Sequence, residues 1–477
     1  MKAEFSPWLA SQAAALKELI AQLSSHYDHV SILATDSRGF LVLASQHNRM
    51  IDRRTLTTER GVVVRVHRDG LYSEYAFNAE DLADPGAVAA RLRTTLDAQL
   101  SVLSRVGTGV YDTPAVQDPP LTIFAEMETD GLPEETDPAA VMELLGSYSD
   151  RAVSMDERIV ECQARVSSTH VNKMFLTAHR DERQSYVFTE ASLFVIGSQD
   201  GRTEMAYADA SDRNGPGIIS RLEDQIGDTV KNVLEMLTAD RVEPGEYEII
   251  TSPEVTGLIA HEAFGHGVEM DMFVKKRALG AEYIGKRVGS DLVTMHEGAA
   301  CAVDVTSYAF DDEGVPAGDV TEIDRGILKT GICDTLSALR LGCEPTGNGK
   351  RQNFEHKVYT RMTNTMFDSG SDTLEEMIAS VKKGYLLEGM HSGMEDPKHW
   401  GIQCIIARGR EIVDGRLTGR VVAPVVMTGY VTDLLGSVSM VSGDRASFGN
   451  GACGKGHKEW VKVADGGPYL KARARLG

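Results

Sequence analysis

The chain has 477 residues, of which 42% are hydrophobic and 25% are charged, a composition typical of a soluble globular protein with a sizeable core. Lys and Arg total 49 against 70 Asp and Glu, so the formal net charge is −21. That charge disfavours binding to the phosphate backbone of nucleic acids and to anionic membrane surfaces.

The first 25 residues predict an amphipathic helix rather than a signal peptide or a membrane span. Ser6 and Pro7 supply a cap and a first helical turn, and apolar residues then recur at positions 9, 13, 16, 20 and 23. A signal peptide would carry a continuous apolar block instead, and no stretch of the chain reaches 18 consecutive apolar residues. We therefore expect a cytoplasmic protein.

Residues 1–112 predict an N-terminal α+β domain. Two strands at 30–34 and 40–44 are expected around a turn at 36–39, and a second pair at 61–67 and 71–77 around Arg68-Asp69-Gly70. A helix over residues 80–106 follows. Residues 114–138 contain five of the 15 prolines and predict a linker or an exposed connection.

Residues 113–240 predict a helix, a set of strands and a second helix. The expected strands are 158–167, 173–179, 185–197 and 202–208, and helical periodicity covers 218–239. Residues 241–477 predict a β-rich C-terminal domain, because a short strand at 246–251 is followed later by many short apolar runs separated by glycine. The expected fold class is thus α+β in three regions.

The six cysteines contain no CxxC pair, which argues against a disulfide scaffold and against a zinc ribbon. A different segment, residues 252–266, carries the strongest chemical signal. Ser252 and Pro253 predict the start of a helix that carries His261, Glu262 and His266.

The spacing of these two histidines makes a structural demand. Zinc-binding histidines on a helix are usually four residues apart, whereas His261 and His266 are five apart. On a straight α-helix this leaves them about 140° apart around the axis. A wider π-type turn, or a break at Gly265, would bring them to one ion. From the spacing alone, two unrelated histidines remain the alternative.

The stretch HEAFGHGVEMD, residues 261–271, resembles the TldD/PmbA family, and in particular its catalytic TldD branch. Further blocks match in the same order, namely FDDEGVP at 310–316, TGNGKR at 346–351, RMTNT at 361–365 and GACGKG at 451–456. The resemblance is strong over residues 240–460 and looser before residue 240. We read residues 311–313 as a structural turn rather than a Ca²⁺ loop, because the spacing of an EF-hand is missing.

The resemblance implies a zinc metallopeptidase that hydrolyses peptides or unfolded protein segments. Carried over, the Zn²⁺ ligands are His261, His266 and Cys453, and Glu262 is the general base acting through a metal-activated water. The residue types suit this chemistry because Zn²⁺ accepts imidazole and thiolate together and a catalytic site keeps one position for water. Apart from the resemblance, Cys453 can equally be read as a structural cysteine in a Gly-rich turn.

Three further residues are candidates for substrate binding. Arg361 and Asn364 would bind the substrate backbone or stabilise an oxyanion, or else satisfy buried backbone groups. His457 stands where the family commonly has Gln, and would contact the substrate or lie on the surface. The segment 391–400 also departs from the family's pattern, so the substrate preference is left open.

Two other functions stay open at this point. The resemblance includes a PmbA/TldE branch, a non-catalytic partner that typically lacks the metal residues, and the chain's retention of those residues argues against that role. The second is a hydrolase or modulator that acts on something other than a peptide bond, including modulation of DNA gyrase. The resemblance also implies a dimer, either of two copies or with a related TldE/PmbA-like subunit.

Overall fold

The structure is a computed structural model that describes residues 1–78, 82–106, 113–456 and 459–477. Its described helices are α1 (Pro7–Leu23), α2 (Pro85–Val106), α3 (Pro138–Ser154), α4 (Ile226–Leu237), α5 (Pro253–Leu258), α6 (Asp271–Val274), α7 (Thr335–Leu341), α8 (Leu374–Ala379) and α9 (Val431–Gly436). Within these described residues, no helix combines the length and the apolar character needed to cross a bilayer.

The strands before residue 330 are β1 (His29–Ala44), β2 (Arg49–Asp52), β3 (Glu59–Arg68), β4 (Leu71–Phe77), β5 (Leu121–Glu126), β6 (Ile159–Leu176), β7 (Arg180–Gln199), β8 (Arg202–Asp212), β9 (Gly245–Thr251), β10 (Met295–Glu297), β11 (Val320–Asp324) and β12 (Ile327–Leu328). The later strands are β13 (Gly349–Lys350), β14 (Tyr359–Thr360), β15 (Asn364–Phe367), β16 (Lys383–Asp396), β17 (Gly401–Val413), β18 (Arg416–Val422), β19 (Val425–Tyr430), β20 (Met440–Phe448), β21 (Ala452–Lys455), β22 (Glu459–Lys462) and β23 (Ala464–Leu476).

Two large sheets organise these strands. Within the described ranges, β1–β8 form an eight-stranded sheet in the order β4-β3-β1-β6-β7-β5, with β2 beside β1 and β8 beside β7. An eleven-stranded sheet contains most of the strands after residue 244, in the order β12-β11-β10-β15-β23-β19-β17-β16-β9, with β18 and β20 alongside, while β13 pairs with β14 and β21 with β22 in two small sheets. The α+β fold class and the β-rich C-terminal region are therefore confirmed.

The N-terminal helix forms where the sequence predicts it. Ser6 Oγ accepts a hydrogen bond from the Leu9 N–H at 3.2 Å, and Pro7 occupies the first turn. Leu9, Leu16 and Leu23 are fully buried against the first sheet. Burial of each leucine side chain contributes about 1.5–3 kcal/mol, so the apolar face rather than helix propensity holds α1 in place.

The predicted turn at residues 36–39 is wrong, because β1 runs through it without a break. Asp36 is buried inside the strand, where its carboxylate accepts hydrogen bonds from Ser6 Oγ at 2.6 Å and from Arg60 Nε at 2.9 Å. Strand β6 pairs with β1 along its length and likewise joins the predicted strands 158–167 and 173–179 into one. Polar residues that make their hydrogen bonds inside a sheet cannot be told from the polar residues of a turn by sequence alone.

Two further expectations are corrected. The predicted linker at 114–138 contains a strand, β5, which pairs in parallel with β7. It lies at an edge of the sheet, where the prolines before it remove no ladder hydrogen bond. The predicted helix over 218–239 is a 3₁₀ segment, Pro216–Gln225, followed by α4.

The strands of the first two predicted regions share one sheet, since β1 and β3 from the N-terminal region join β6 and β7. The division into 1–112, 113–240 and 241–477 stays a prediction. The expected helix over 80–106 is described from Pro85 onward, and residues 79–81 lie outside the described residues.

A turn at residues 311–313 joins the first sheet to the C-terminal half. Asp311 accepts hydrogen bonds from the backbone N–H groups of Glu313 and Val315, both at 2.9 Å, which confirms the predicted structural turn. Asp312 pairs with Lys173 and Glu313 pairs with Arg65. Beside these ion pairs, Phe310 packs in a small apolar cluster with residues of β1, β3 and β6.

We predict that Phe310→Ala lowers the free energy of unfolding by about 3–5 kcal/mol, because it opens a cavity at this junction. Phe124, which is 61% exposed, is the matched control, and Phe124→Ala should change stability by about 0.5 kcal/mol or less. Urea denaturation of both variants provides the measurement. Equal denaturation midpoints for the two variants would show that the packing of Phe310 does not stabilise this junction.

Candidate metal centre

The helix that carries the histidine motif widens before it reaches the second histidine. α5 is followed by a π-helical turn, Ile259–Phe264, and then by a 3₁₀ turn, Gly265–Val268. A π turn holds one more residue than an α turn, which compensates for the five-residue spacing. The ring centroids of His261 and His266 consequently lie 5.1 Å apart, with the ring planes 83° to each other. The wide turn that the spacing requires is present.

Glycine lets the chain pack closely around this turn. A Cβ atom at Gly267 would lie 2.6 Å from both Glu395 Oε1 and Trp400 Nε1. Trp400 is only 2% exposed and packs against Phe264, with 5.9 Å between ring centroids. The segment 391–400, whose role the sequence leaves open, thus forms the end of β16 and the turn that supports the motif.

A hairpin near the end of the chain brings the third candidate ligand. Cys453 lies on β21, which pairs with β22, and its Sγ is 3.4 Å from His266 Nε2. Arg361 Nη2 donates a hydrogen bond to the Cys453 carbonyl oxygen at 2.5 Å, which fixes the hairpin backbone at this point. Apolar residues back the cysteine, namely Ile332, Met362, Val461 and Val463.

One donor atom from each of His261, His266 and Cys453 lies within 4.8 Å of the other two. Across the described ranges of the chain, this is the one group of three or more His, Cys, Asp or Glu side chains so arranged. Two imidazoles and a thiolate form a donor set that suits Zn²⁺ rather than Mg²⁺ or Ca²⁺, which prefer oxygen. The residues present therefore fit a zinc ion.

Electrostatics favour an anionic sulfur at this position. Burial by itself would raise the pKa of the Cys453 thiol, but its contacts with His261 and His266 lower that pKa to about 4. Burial would likewise lower the pKa of His266, whereas Cys453 and Glu269 raise it well above its usual value. The thiolate is the form of cysteine that binds metals.

An outer carboxylate orients one of the two histidines. Glu269 Oε2 lies 3.1 Å from His266 Nδ1, which directs the other ring nitrogen, Nε2, towards Cys453. Lys455 Nζ lies 3.0 Å from Glu269 Oε2 and 2.8 Å from Asp271 Oδ1, so the buried carboxylates are compensated. Sequence reasoning assigned no role to Glu269 or Lys455. Their closeness in sequence to two predicted ligands could have indicated these roles, because Glu269 is three residues after His266 and Lys455 is two after Cys453.

Glu262 lies at the open side of the group. Its Oε2 is 3.9 Å from His266 Nε2, and its side chain is 27% exposed, whereas His261 is 3% exposed. Strand β16 passes beside it, since a Cβ atom at Gly393 would lie 2.7 Å from Glu262 Cβ and Cγ. The Glu262 side chain therefore lies close both to the donor group and to β16.

The candidate substrate-binding residues lie elsewhere in the site. Arg361 is 1% exposed, and its Nη atoms donate to the carbonyl oxygens of Cys453 and Glu459. Asn364 is fully buried. Its amide oxygen accepts a hydrogen bond from the Thr306 hydroxyl, and its amide nitrogen donates to several backbone carbonyl oxygens. These contacts favour the structural alternative for both residues. His457 lies outside the described residues, so its role stays a prediction.

Residues 244–473 match the family model described as the PmbA/TldA metallopeptidase C-terminal domain. The resemblance to the TldD/PmbA family seen in the sequence is thereby confirmed, and the match to the family model lies in the C-terminal domain.

Named relatives agree with this resemblance, and a solved structure shares the fold. A protein named a metalloprotease in Synechocystis is 25% identical over 98% of each chain. A zinc metalloprotease TldD homolog of Saccharolobus solfataricus is 30% identical over 51% of this chain and 54% of its own length. The crystal structure of TldE from Thermococcus kodakarensis shares the fold, with a TM-score of 0.76 at 18% identity, covering 97% of this chain and 100% of that one.

We predict that Cys453 is the cysteine alkylated first at pH 6 in protein stripped of metal. Its pKa of about 4 makes it a thiolate at this pH, whereas burial raises the pKa values of Cys162, Cys301, Cys333 and Cys404. Iodoacetamide labelling with peptide mass spectrometry gives the order of reaction, and added zinc should protect Cys453.

The exposed Cys343 supplies the control for that labelling experiment. A Cys343→Ala variant should show unchanged labelling of Cys453 at pH 6. Labelling of Cys453 that begins only above pH 8 would contradict a thiolate held by the two histidines.

Proposed function

We propose that the chain is a zinc-dependent metallopeptidase that hydrolyses peptides or unfolded protein segments. The observation that carries the proposal is the convergence of His261, His266 and Cys453 beside the carboxylate of Glu262. These three residues would hold the ion. When bound, Zn²⁺ would lower the pKa of a water molecule towards about 7 and polarise the scissile carbonyl.

Glu262 supplies the proton chemistry in this proposal. It follows a ligand directly in sequence, and its carboxylate reaches the open side of the donor group. There it accepts a proton from the attacking water and passes that proton to the amine nitrogen of the leaving group. Peptide-bond cleavage needs both transfers, and one carboxylate can perform both because it is deprotonated before the attack and protonated after it.

Strand β16 offers a surface for an extended substrate. β17 pairs with one edge of β16 as far as Asp396, whereas β9 pairs with the other edge only over Gly384–Leu387. In the described structure, Glu262 lies against Gly393 of β16, beyond the last residue of that strand that pairs with β9. A peptide could add there as a further strand, and its backbone would provide most of the hydrogen bonds. Recognition of this kind selects extended, unfolded segments over folded proteins.

The alternative is a non-catalytic partner subunit of the TldE/PmbA kind. The solved structure of TldE supports only the shared fold, because its identity to this chain is 18%. The intact set of His261, Glu262, His266 and Cys453 favours the catalytic role. We further propose a cytoplasmic protein that acts as a dimer, with a second copy or with a related subunit, and light scattering of the pure chain would distinguish these.

We predict about one zinc per chain in the wild type, and a strong loss in each of His261→Ala, His266→Ala and Cys453→Ala. Each variant removes one of three donors and leaves an incomplete coordination sphere. Elemental analysis of purified and zinc-reconstituted protein measures the ratio. His399→Ala is the matched control, because that side chain is 72% exposed. Wild-type protein without zinc after reconstitution would reject the zinc peptidase and favour the partner role.

We predict that Glu262→Gln keeps its zinc and lowers the rate of peptide hydrolysis by about 10²–10⁴-fold, because the amide cannot accept the proton. Glu282→Gln, which changes an exposed residue, should leave the rate unchanged. Hydrolysis of unfolded protein by each zinc-loaded variant is followed by mass spectrometry. Undiminished turnover in Glu262→Gln would remove the assignment of the general base.

A further inference from the structure

A row of polar side chains lies on the sheet beneath the histidine motif. Thr365 of β15 stands directly opposite Glu297 of β10 on one side and opposite Asp465 of β23 on the other. Residues that face each other across neighbouring strands project from the same side of a sheet. The helix that leads to His261 packs over this row, since its Gly257 lies against Asp465.

A glycine one helical turn before His261 makes room for one of these carboxyls. A Cβ atom at Gly257 would lie 2.5 Å from Asp465 Oδ1. Side chains on a helix lean towards its N-terminus, so the ring of His261 covers the turn that contains Gly257. The carboxyl of Asp465 and the ring of His261 therefore approach the same space from opposite sides.

Both groups contain an atom that needs a partner. His261 Nδ1 and Asp465 Oδ1 are shielded from solvent, and neither has a hydrogen-bond partner in the described part of the chain. The residues are 3% and 7% exposed. An unsatisfied buried polar group costs about 1–3 kcal/mol. A hydrogen bond from His261 Nδ1 to Asp465 Oδ1 would give both atoms a partner with a small movement of the two side chains.

The other carboxyl of the row is already engaged. Glu297 accepts hydrogen bonds from the backbone N–H and hydroxyl of Thr363, from the hydroxyl of Thr365 and from the amide of Asn348. Both of its oxygens therefore have donors. Asp465 is the carboxyl of the row that retains an unused oxygen.

We propose that Asp465 is the positioning residue for His261, accepting the hydrogen bond from its Nδ1–H. Each histidine then has a carboxylate of its own, with Glu269 serving His266 as described above. The bond fixes the tautomer of His261 and leaves Nε2 free to face the metal, and such outer partners raise the basicity of the ligand. The inference rests on the proposed zinc site.

The test compares the zinc affinities of the full-length wild type and Asp465→Asn, measured by competition with a chelator. The expected result is a 10–100-fold weaker affinity, the usual effect of losing an outer carboxylate. Asp304→Asn is the matched control, because it removes another buried carboxyl group near Asp465. The oxygens of Asp304 already accept hydrogen bonds from the Val305 N–H and the Ser447 hydroxyl. Its affinity should stay within about threefold of the wild type.

Gly257→Ala provides a second variant, which displaces the carboxylate without removing its charge. It should weaken zinc binding in the same way, while circular dichroism of the metal-free protein stays that of the wild type. Cobalt-loaded Asp465→Asn should keep the thiolate-to-metal absorption and show shifted d–d bands, because only the histidine side of the site has changed. A merely structural role would leave those bands unchanged.

The outcomes separate the two proposals. Wild-type affinity in Asp465→Asn, or an equal loss in Asp304→Asn, would overturn the role of Asp465 while the zinc site stands. A wild type that binds no zinc would overturn the proposed function, and this inference with it.

Discussion

The five-residue spacing of His261 and His266 is the constraint on which the site depends. An α-helix would point the two rings away from each other, and the chain resolves this with the π turn at Ile259–Phe264. A π turn is intrinsically less favourable than an α turn, so its surroundings must hold it. Trp400 and the glycines of the motif allow the close packing that does so. The supporting structure is thus part of the metal centre.

A second theme is that the site is built in layers of alternating charge. The thiolate of Cys453 lies against two imidazoles, one imidazole lies against Glu269, and Glu269 lies against Lys455. Each buried charge is followed outward by one of opposite sign, which lowers the cost of placing ions in a low-dielectric interior. The arrangement holds Cys453, His266 and Glu269 in place before any ion binds, because each of them contacts a group of opposite charge.

The sequence predicted which residues come together at the candidate site better than it predicted the surrounding structure. His261, Glu262 and His266 are neighbours in the chain, so the need for a wide turn follows from their spacing, whereas their reading as a metal motif required the family resemblance. Cys453 required the family resemblance, since nothing local links it to the motif. Glu269 was overlooked although it lies in the same motif, because its role appears only when Lys455 arrives from the distant hairpin.

Errors in the fold have a related cause. Asp36 and its neighbours have the sequence of a turn, because turns are rich in polar residues. The strand nevertheless continues, since Ser6 and Arg60 donate hydrogen bonds to the Asp36 carboxylate. Likewise β5 is hidden in a proline-rich stretch, because only its neighbour β7 turns that segment into a strand. Local patterns describe single segments, whereas long-range hydrogen bonds decide these two cases.

The distance along the chain between the ligands has a consequence for synthesis. His266 and Cys453 are 187 residues apart, and the cysteine lies on a hairpin close to the C-terminus. A growing polypeptide on the ribosome holds both histidines long before it holds the sulfur. The complete donor set cannot form until the β21–β22 hairpin has been synthesised and has docked beside the histidines. The proposed peptidase would therefore be inert until that hairpin has folded, at the time when its own unfolded chain is closest to the site.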